Sequence, residues 1–393
     1  MNINEIVGRL KAGGLDASSN NRSAAVYVTE ARSGRSEPGW FGFRIICDSE
    51  ATERRVRSIL SRWYDINVSG GVWRLRSKNR VPLMAIKRGG VPPTPPTPTE
   101  GPMYFEAAEA NSTVSMISTL ATAPNLEYST DGVTWQEWEH TTTTEDDMTM
   151  HTFDTLTLTA IGDRVYLRGN NPNGLSDINN DFVTWFSLTG KINSSGSLTS
   201  ILDNDGVSTT ELPEGAFTFL FGYNTLINME QDSTLLTPPT FGNIETVKTY
   251  SLVGTYYGCA ALESLPDMSR ITHIGYMGCG VNEGGIGTFT GCSNASGIVS
   301  FNRLSEVDLY GCCHMFGYCN SMYKAADMPS LSSLGPDSLR DIYDHCTFAM
   351  SDNGTTFNFA FGATPPVTAG EETFNTYYDL AEWMGNTNGF TEP

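Results

Sequence analysis

Four short stretches carry the reading of this chain: Tyr256-Tyr257-Gly258-Cys259, Tyr276-Met277-Gly278-Cys279, Phe289-Thr290-Gly291-Cys292 and Leu309-Tyr310-Gly311-Cys312. Each sets a Gly-Cys dipeptide behind an aromatic or apolar pair, and the glycines are 20, 13 and 20 residues apart. Weaker echoes stand at Phe316-Gly317-Tyr318-Cys319, Tyr343-Asp344-His345-Cys346 and Leu220-Phe221-Gly222-Tyr223. Punctuation at a spacing of a few tens of residues is the mark of a solenoid, in which each unit buries its apolar face only against its neighbours. The expected repeat core is Tyr256, Gly258, Cys259, Tyr276, Gly278, Cys279, Phe289, Gly291, Cys292, Gly311, Cys312, Phe316, Cys319 and Cys346. Repeat arrays of this kind are binding surfaces, which points to recognition and away from catalysis.

Cysteine use sharpens this. Seven of the eight cysteines fall between Cys259 and Cys346, most of them directly after glycine. A reduced thiol packs as a small hydrophobe, so an internal ladder is favoured over a disulfide framework. Cys312-Cys313-His314 with Cys319 has only a superficial likeness to a zinc site, because no C-x-x-C pair accompanies it. No cofactor is expected.

Charge divides the chain. Residues 1–90 hold 16 Lys/Arg against 8 Asp/Glu, whereas the remainder is strongly acidic within a total of −20. Regions of such opposite sign suit different partners, and the acidic one would be repelled by nucleic acid and anionic lipid. Residues 1–90 read as a small α+β domain. Strands are expected at 25–28, 40–46, 72–75 and 83–86, and short helical stretches at 3–10 and after Ser49. In the second helix Val56, Ile59, Leu60 and Trp63 form one apolar stripe, and Arg54, Arg55, Arg57 and Arg62 the opposite face. Those arginines are a candidate anchoring surface, with a solvated helix face and a phosphate site as alternatives.

Residues 91–102 are a proline- and threonine-rich linker. In a polyproline II conformation, at about 3.1 Å per residue, it would span roughly 35 Å. An all-β sandwich is expected over 103–195, with a hairpin from Leu126–Ser129 to Val133–Trp135 and an exposed loop at Thr141–Asp147. The leucine-rich-repeat-like solenoid with a C-terminal cap fills 196–393. No run of about 20 apolar residues is present, so membrane insertion is not expected. The first fifteen residues lack a secretory signal pattern.

The strings Glu127–Trp135, Val165–Asn171, Phe186–Ile192, Tyr256–Leu262 with Leu265-Pro266, and Met315–Cys319 with Met328-Pro329 together resemble the BspA-type leucine-rich-repeat surface proteins of gut bacteria and their phages. The resemblance covers about 103–360, with irregular repeat lengths and with Ala295 and Ala349 at leucine positions. It implies a non-enzymatic surface protein. With no export signal, it implies a phage virion fibre or decoration protein, compatible with a homotrimer. Its N-terminal domain would meet a capsid or tail protein, and its C-terminal region a host-surface or mucosal glycan or protein. A bacterial cell-surface adhesin of the same architecture is the first alternative, and a carbohydrate-active enzyme the second.

Catalytic patterns are otherwise missing from the sequence. The histidines His140, His151, His273, His314 and His345 are scattered, and no Gly-x-Ser-x-Gly, P-loop or His-Glu-x-x-His occurs. Glu137 and Glu139 imitate a glycosidase pair, and Asp203-Asn204-Asp205-Gly206 a calcium loop. A solvated surface and a plain turn, respectively, are the expected roles.

Overall fold

A computed structural model describes residues 101–392 apart from 146–147, 178–181, 205–207, 223–233 and 298. Nearer the N-terminus it describes 10, 17–18, 26–30, 41–47, 49, 52–53, 56–57, 60, 64–69 and 72–77. The chain is β-rich and falls into two compact units, Met1–Val91 and Pro92–Pro393.

The first unit is built on one sheet: β1 (Ala17–Ser18), β2 (Val26–Glu30), β3 (Phe41–Cys47), β4 (Tyr64–Ser69) and β5 (Val72–Ser77), in the order β1-β2-β3-β5-β4. Val26 and Val28 are buried, and Ile45 is buried between exposed Arg44 and Ile46, the period-two alternation of a half-buried strand. Thr52, Glu53, Val56, Arg57 and Leu60 are helical, with Val56 and Leu60 fully buried four residues apart. Ser49 caps that helix: the Thr52 amide donates to its Oγ at 3.2 Å and the Glu53 amide to its carbonyl at 3.0 Å. Strand β4 was not foreseen, although Ile66 and Val68 alternate with polar neighbours. The expected strand at 83–86 and the start of the first helix lie outside the described residues.

The second unit opens with two facing sheets. Their strands are β6 (Met103–Ala107), β7 (Ser112–Ser118), β8 (Leu126–Ser129), β9 (Gln136–Glu137), β10 (His140–Glu145), β11 (Met148–Phe153), β12 (Leu156–Leu158), β13 (Arg164–Gly169), β14 (Thr184–Thr189) and β15 (Ile192–Ser195). One sheet runs β10-β11-β7-β12 with β14 also on β7; the other contains β15-β6-β13-β8-β9. β6 and β7 bury alternate residues. Phe105 of β6 meets Phe186 of β14 edge-on at 5.0 Å between the sheets.

Two local expectations are corrected. The partner of β8 is not 133–135 but β9, with Tyr128 opposite Gln136. The intervening residues form a wide turn around Asp131, whose carboxylate accepts the amides of Val133 and Thr134 at 2.8 and 2.7 Å. Those amide bonds, with hydroxyl bonds from Ser129 and Thr134, hold its carboxyl well below the usual range. Nor is 141–145 a loop. His140–Glu145 pairs with β11 residue for residue, because four consecutive β-branched threonines fit a two-sided exposed strand.

Beyond the sandwich come β16 (Glu211–Leu212), β17 (Leu235–Thr237), β18 (Thr246–Val247), β19 (His273–Ile274), β20 (Glu306–Val307) and β21 (Ser333–Leu334). β17 joins the sandwich sheet, parallel to β15. The other five form a wholly parallel ladder in chain order, one rung per circuit of the chain. The rungs are 35, 27, 33 and 27 residues apart. Leu212, Val247, Ile274 and Val307 point inward and are fully buried. A column of rings runs through the stack: Phe186, Phe221, Tyr256, Phe289, Phe316 and Tyr343, at centroid separations of 5.2, 5.2, 5.5, 5.5 and 5.8 Å and nearly parallel.

Both ends of the stack are covered. On the sandwich side the Phe186 amide donates to Leu220 O at 2.8 Å. At the far end the amides of Asp341 and Tyr343 donate to Trp383 O and Met384 O, both at 2.9 Å, where a further coil would otherwise lie. The covering helix α1 (Tyr377–Trp383) is started by a reciprocal capping box between Thr376 and Asp379. Before it, β22 (Val367–Ala369) and β23 (Glu372–Phe374) form a hairpin. These elements cap the two ends of the ring-bearing stack, as terminal units do in a repeat array.

The tyrosines in the ring column provide a test. Tyr256 is fully buried and its hydroxyl has no partner, whereas the Tyr343 hydroxyl accepts the Ala326 amide at 2.9 Å. An unsatisfied buried hydroxyl costs about 1–3 kcal/mol. Tyr256→Phe, which copies the neighbouring rings, should leave stability to chemical denaturation unchanged or raise it by about 1 kcal/mol. Tyr343→Phe should lower it by about 1–3 kcal/mol, because it orphans an amide.

Candidate binding surface

The Gly-Cys dipeptides do not share one repeat position, as the sequence had implied. They occupy two. The amides of Phe217, Leu252, Cys279 and Cys312 donate to Ser251, Gly278, Gly311 and Ser338, which aligns Cys279 and Cys312 with Phe217, Leu252 and Leu339. The amides of Phe221, Tyr256, Phe289 and Phe316 donate to Thr255, Thr288, Met315 and Ile342, which sets the ring position. Three residues after each ring from Tyr256 onward stands the second cysteine position: Cys259, Cys292, Cys319 and Cys346. The apparent weak echoes at 316–319 and 343–346 are therefore full members. In the 33-residue interval, ten residues instead of four separate Cys279 from Phe289. The extra loop closes with a bridge between Gly280 and Gly287. A Cβ on either would overlap the backbone of the next coil at 313–315.

The second cysteine column is a hydrogen-bonded ladder. Each thiol donates to the carbonyl of the ring residue one coil back: Cys259 to Phe221 at 3.3 Å, Cys292 to Tyr256 at 3.1 Å, Cys319 to Phe289 at 3.0 Å and Cys346 to Phe316 at 3.0 Å. All eight cysteines are free thiols, and those from Cys259 to Cys346 are buried. Burial pushes Cys292, Cys312 and Cys319 far above the ordinary thiol range, and Cys313 and Cys346 up to about 12. Cys312 faces Cys279, whereas Cys319 lies beside Cys292 and Cys346, so the 312–319 thiols point into different columns.

The exposed face is set by the corners of the coils. Tyr250, Met277, Tyr310 and Asp337 occupy one corner position, with φ of 55°, 48°, 56° and 50°. Phe219, His314 and Asp341 occupy a second, at 55°, 53° and 52°. Tyr318 and His345 occupy a third, at 59° and 56°, where the earlier coils use Gly258 and Gly291. Left-handed backbone costs a side-chain-bearing residue about 1–2 kcal/mol that glycine avoids. Tyr276 is not a core residue. It sits one place before a corner, 39% exposed, with its ring 6.1 Å from that of Tyr250. Tyr318 is 47% exposed, and its ring meets that of His345 edge-on at 4.4 Å on the next coil. These corner aromatics were missed because a left-handed position carrying tyrosine has no sequence mark.

A concavity of about 440 Å³ lies on the sandwich between 121–126, Glu137, Trp138, His140 and His151. His151 is buried, and its ring nitrogens are engaged by Thr142 Oγ1 at 2.9 Å and Leu120 O at 3.1 Å. Among the described residues no Ser, Cys or Lys lines this cleft. Glu137 and Glu139 are both exposed. Asp203 ends a short helix over Ser200–Asp203 and accepts the Thr209 amide at 2.7 Å, while Asp205 and Gly206 of the expected turn lie outside the described residues. Of the anchoring arginines, Arg57 is exposed, pairs with Glu53 at 3.1 Å and lies 4.9 Å over the Trp73 ring. Arg54, Arg55 and Arg62 lie outside the described residues. No helix among the described residues is long and apolar enough to cross a membrane.

No protein-family model, curated protein or solved structure matches this chain.

The thiol ladder makes stability sensitive to alkali. A folded thiol raised above its unfolded value holds its proton while the unfolded chain loses it, so unfolding releases protons and stability falls with pH. The fall should begin near the unfolded thiol value of about 8.5 and continue through about 12. Thermal unfolding from pH 7 to 11 should show it, and Cys346→Ala should make it shallower. Reductant at pH 7 should leave the melting temperature unchanged, and a thiol reagent should label the native chain at Cys47 alone.

Proposed function

We propose that this chain is a non-enzymatic phage virion fibre or decoration protein. Its second unit is a sandwich followed by a BspA-type, leucine-rich-repeat-like solenoid. Residues 1–90 attach it to a capsid or tail protein, and residues 103–393 bind a host-surface or mucosal glycan or protein. The observation that carries this reading is the set of aromatic side chains held at strained corners. Glycine would be cheaper at Tyr318 and His345, as Gly258 and Gly291 demonstrate on earlier coils. Strain kept at an exposed position is a mark of use, and flat rings on a rigid frame suit stacking on sugars or peptide. The opposite charges of 1–90 and the rest support separate partners.

Two measurements test it. Residues 1–90 should bind purified particles in a salt-sensitive way and residues 103–393 should bind host cells. Tight DNA binding by 1–90 with no particle binding would remove the anchor role. Tyr318→Gly and His345→Gly relieve left-handed strain, so melting temperature should hold or rise. Cell binding should nevertheless fall several-fold; undiminished binding with both variants would exclude this corner as the contact surface.

A further inference from the structure

We propose that His273, Glu306 and Asp308 form a site for one divalent first-row transition-metal ion of the zinc class, on the outer face of the parallel ladder. The donor atoms of the three side chains lie within 4.8 Å of one another. The placement follows from register. His273 and Glu306 are direct partners on β19 and β20, and Asp308 follows two residues after Glu306, on the same face. The Asp308 amide donates to Ile274 O at 2.8 Å, which fixes its backbone against the same coil that carries His273. His273 Nε2 is 3.2 Å from Asp308 Oδ2. Two donors bound to one ion at about 2.1 Å each stand roughly 3.0–3.4 Å apart, so this pair already has the spacing of neighbouring ligands.

Charge favours an ion over a simple salt bridge. The basic groups on neighbouring rungs are taken: Lys248 pairs with Glu211, and Arg303 with Glu245. Among the described residues no Lys or Arg forms an ion pair with Glu306 or Asp308, so two carboxylates share one imidazole. One imidazole and two carboxylates are borderline to hard donors, and three ligands leave open positions. Zn²⁺ is selected over Ca²⁺ and Mg²⁺, which need six or more oxygens or near-octahedral water shells.

The test uses the full chain, stripped with chelator and dialysed. Zn²⁺ titrated by calorimetry should bind one-to-one and raise the melting temperature, and Co²⁺ should give visible d–d absorption that Zn²⁺ quenches. His273→Ala, Glu306→Gln and Asp308→Asn should each weaken Zn²⁺ at least about ten-fold, the loss typical even of an outer-shell partner. These side chains are partly exposed, so the metal-free variants should melt with the wild type. Glu109→Gln, an exposed carboxylate on the sandwich, should bind normally. Absent Zn²⁺ binding, equal binding to Ca²⁺, or unchanged affinity in His273→Ala would each overturn the site.

Discussion

The stacked ring column is the constraint from which the rest of the second unit follows. Centroid separations of 5.2–5.8 Å exceed the ~4.8 Å spacing of hydrogen-bonded strands, so the rings are offset, the arrangement their quadrupoles prefer. Each coil must therefore deliver an aromatic at one height and azimuth. Three residues later the chain passes the same interior again, where only a small side chain fits. Cysteine fills that place and uses its weak donor on the carbonyl of the ring residue below. Fixing both positions fixes the corner between them. In the 33-residue circuit the extra residues loop out between Cys279 and Phe289, off the column.

Magnitudes show why the corners need not be glycine. Burying a phenylalanine is worth about 1.5–3 kcal/mol, and a favourable ring pair about 0.5–1.5 more. A left-handed tyrosine or histidine costs about 1–2. One ring thus roughly covers one strained corner, and each coil from Tyr256 onward supplies a ring, a thiol and an apolar rung against one to three such corners. The frame is stable enough to hold unfavourable backbone at the surface. The column also begins inside the sandwich: Phe186 stacks on Phe221, and Phe105 lies 6.3 Å from it. The described residues from Met103 to Met384 therefore share one core, although their sequence patterns change near 195.

Legibility in the sequence followed the range of each interaction. The boundary of the two compact units, Val91/Pro92, falls at the start of the Pro/Thr segment. The capping of a helix by Ser49 is local and was legible in the sequence. Glycine before cysteine advertised a repeat, but the same dipeptide arises for two reasons. Gly258 and Gly291 are left-handed corners, whereas Gly278 and Gly311 sit where a neighbouring coil comes close. The 20-13-20 spacing mixes these positions, and the 33-residue period inside it stays hidden until hydrogen bonds align the coils. Tyr276 was misplaced for the same reason, since it precedes the wrong kind of glycine. The threonine run at 141–144 was misread because its strand is exposed on both faces, so no alternation marks it.

The same division of labour explains why surface chemistry can change from coil to coil. Inward rung positions stay apolar at Leu212, Val247, Ile274 and Val307, while their outward neighbours run Glu211, Thr246, His273, Glu306 and Ser333. The ladder sets the spacing of those outward side chains but places no demand on their identity. His273 and Glu306, 33 residues apart in the chain, become direct neighbours only through that register. A frame whose period is enforced from within can thus bring together side chains that no local motif connects. That is why its outward chemistry must be read from the stack of coils and cannot be read from any single repeat.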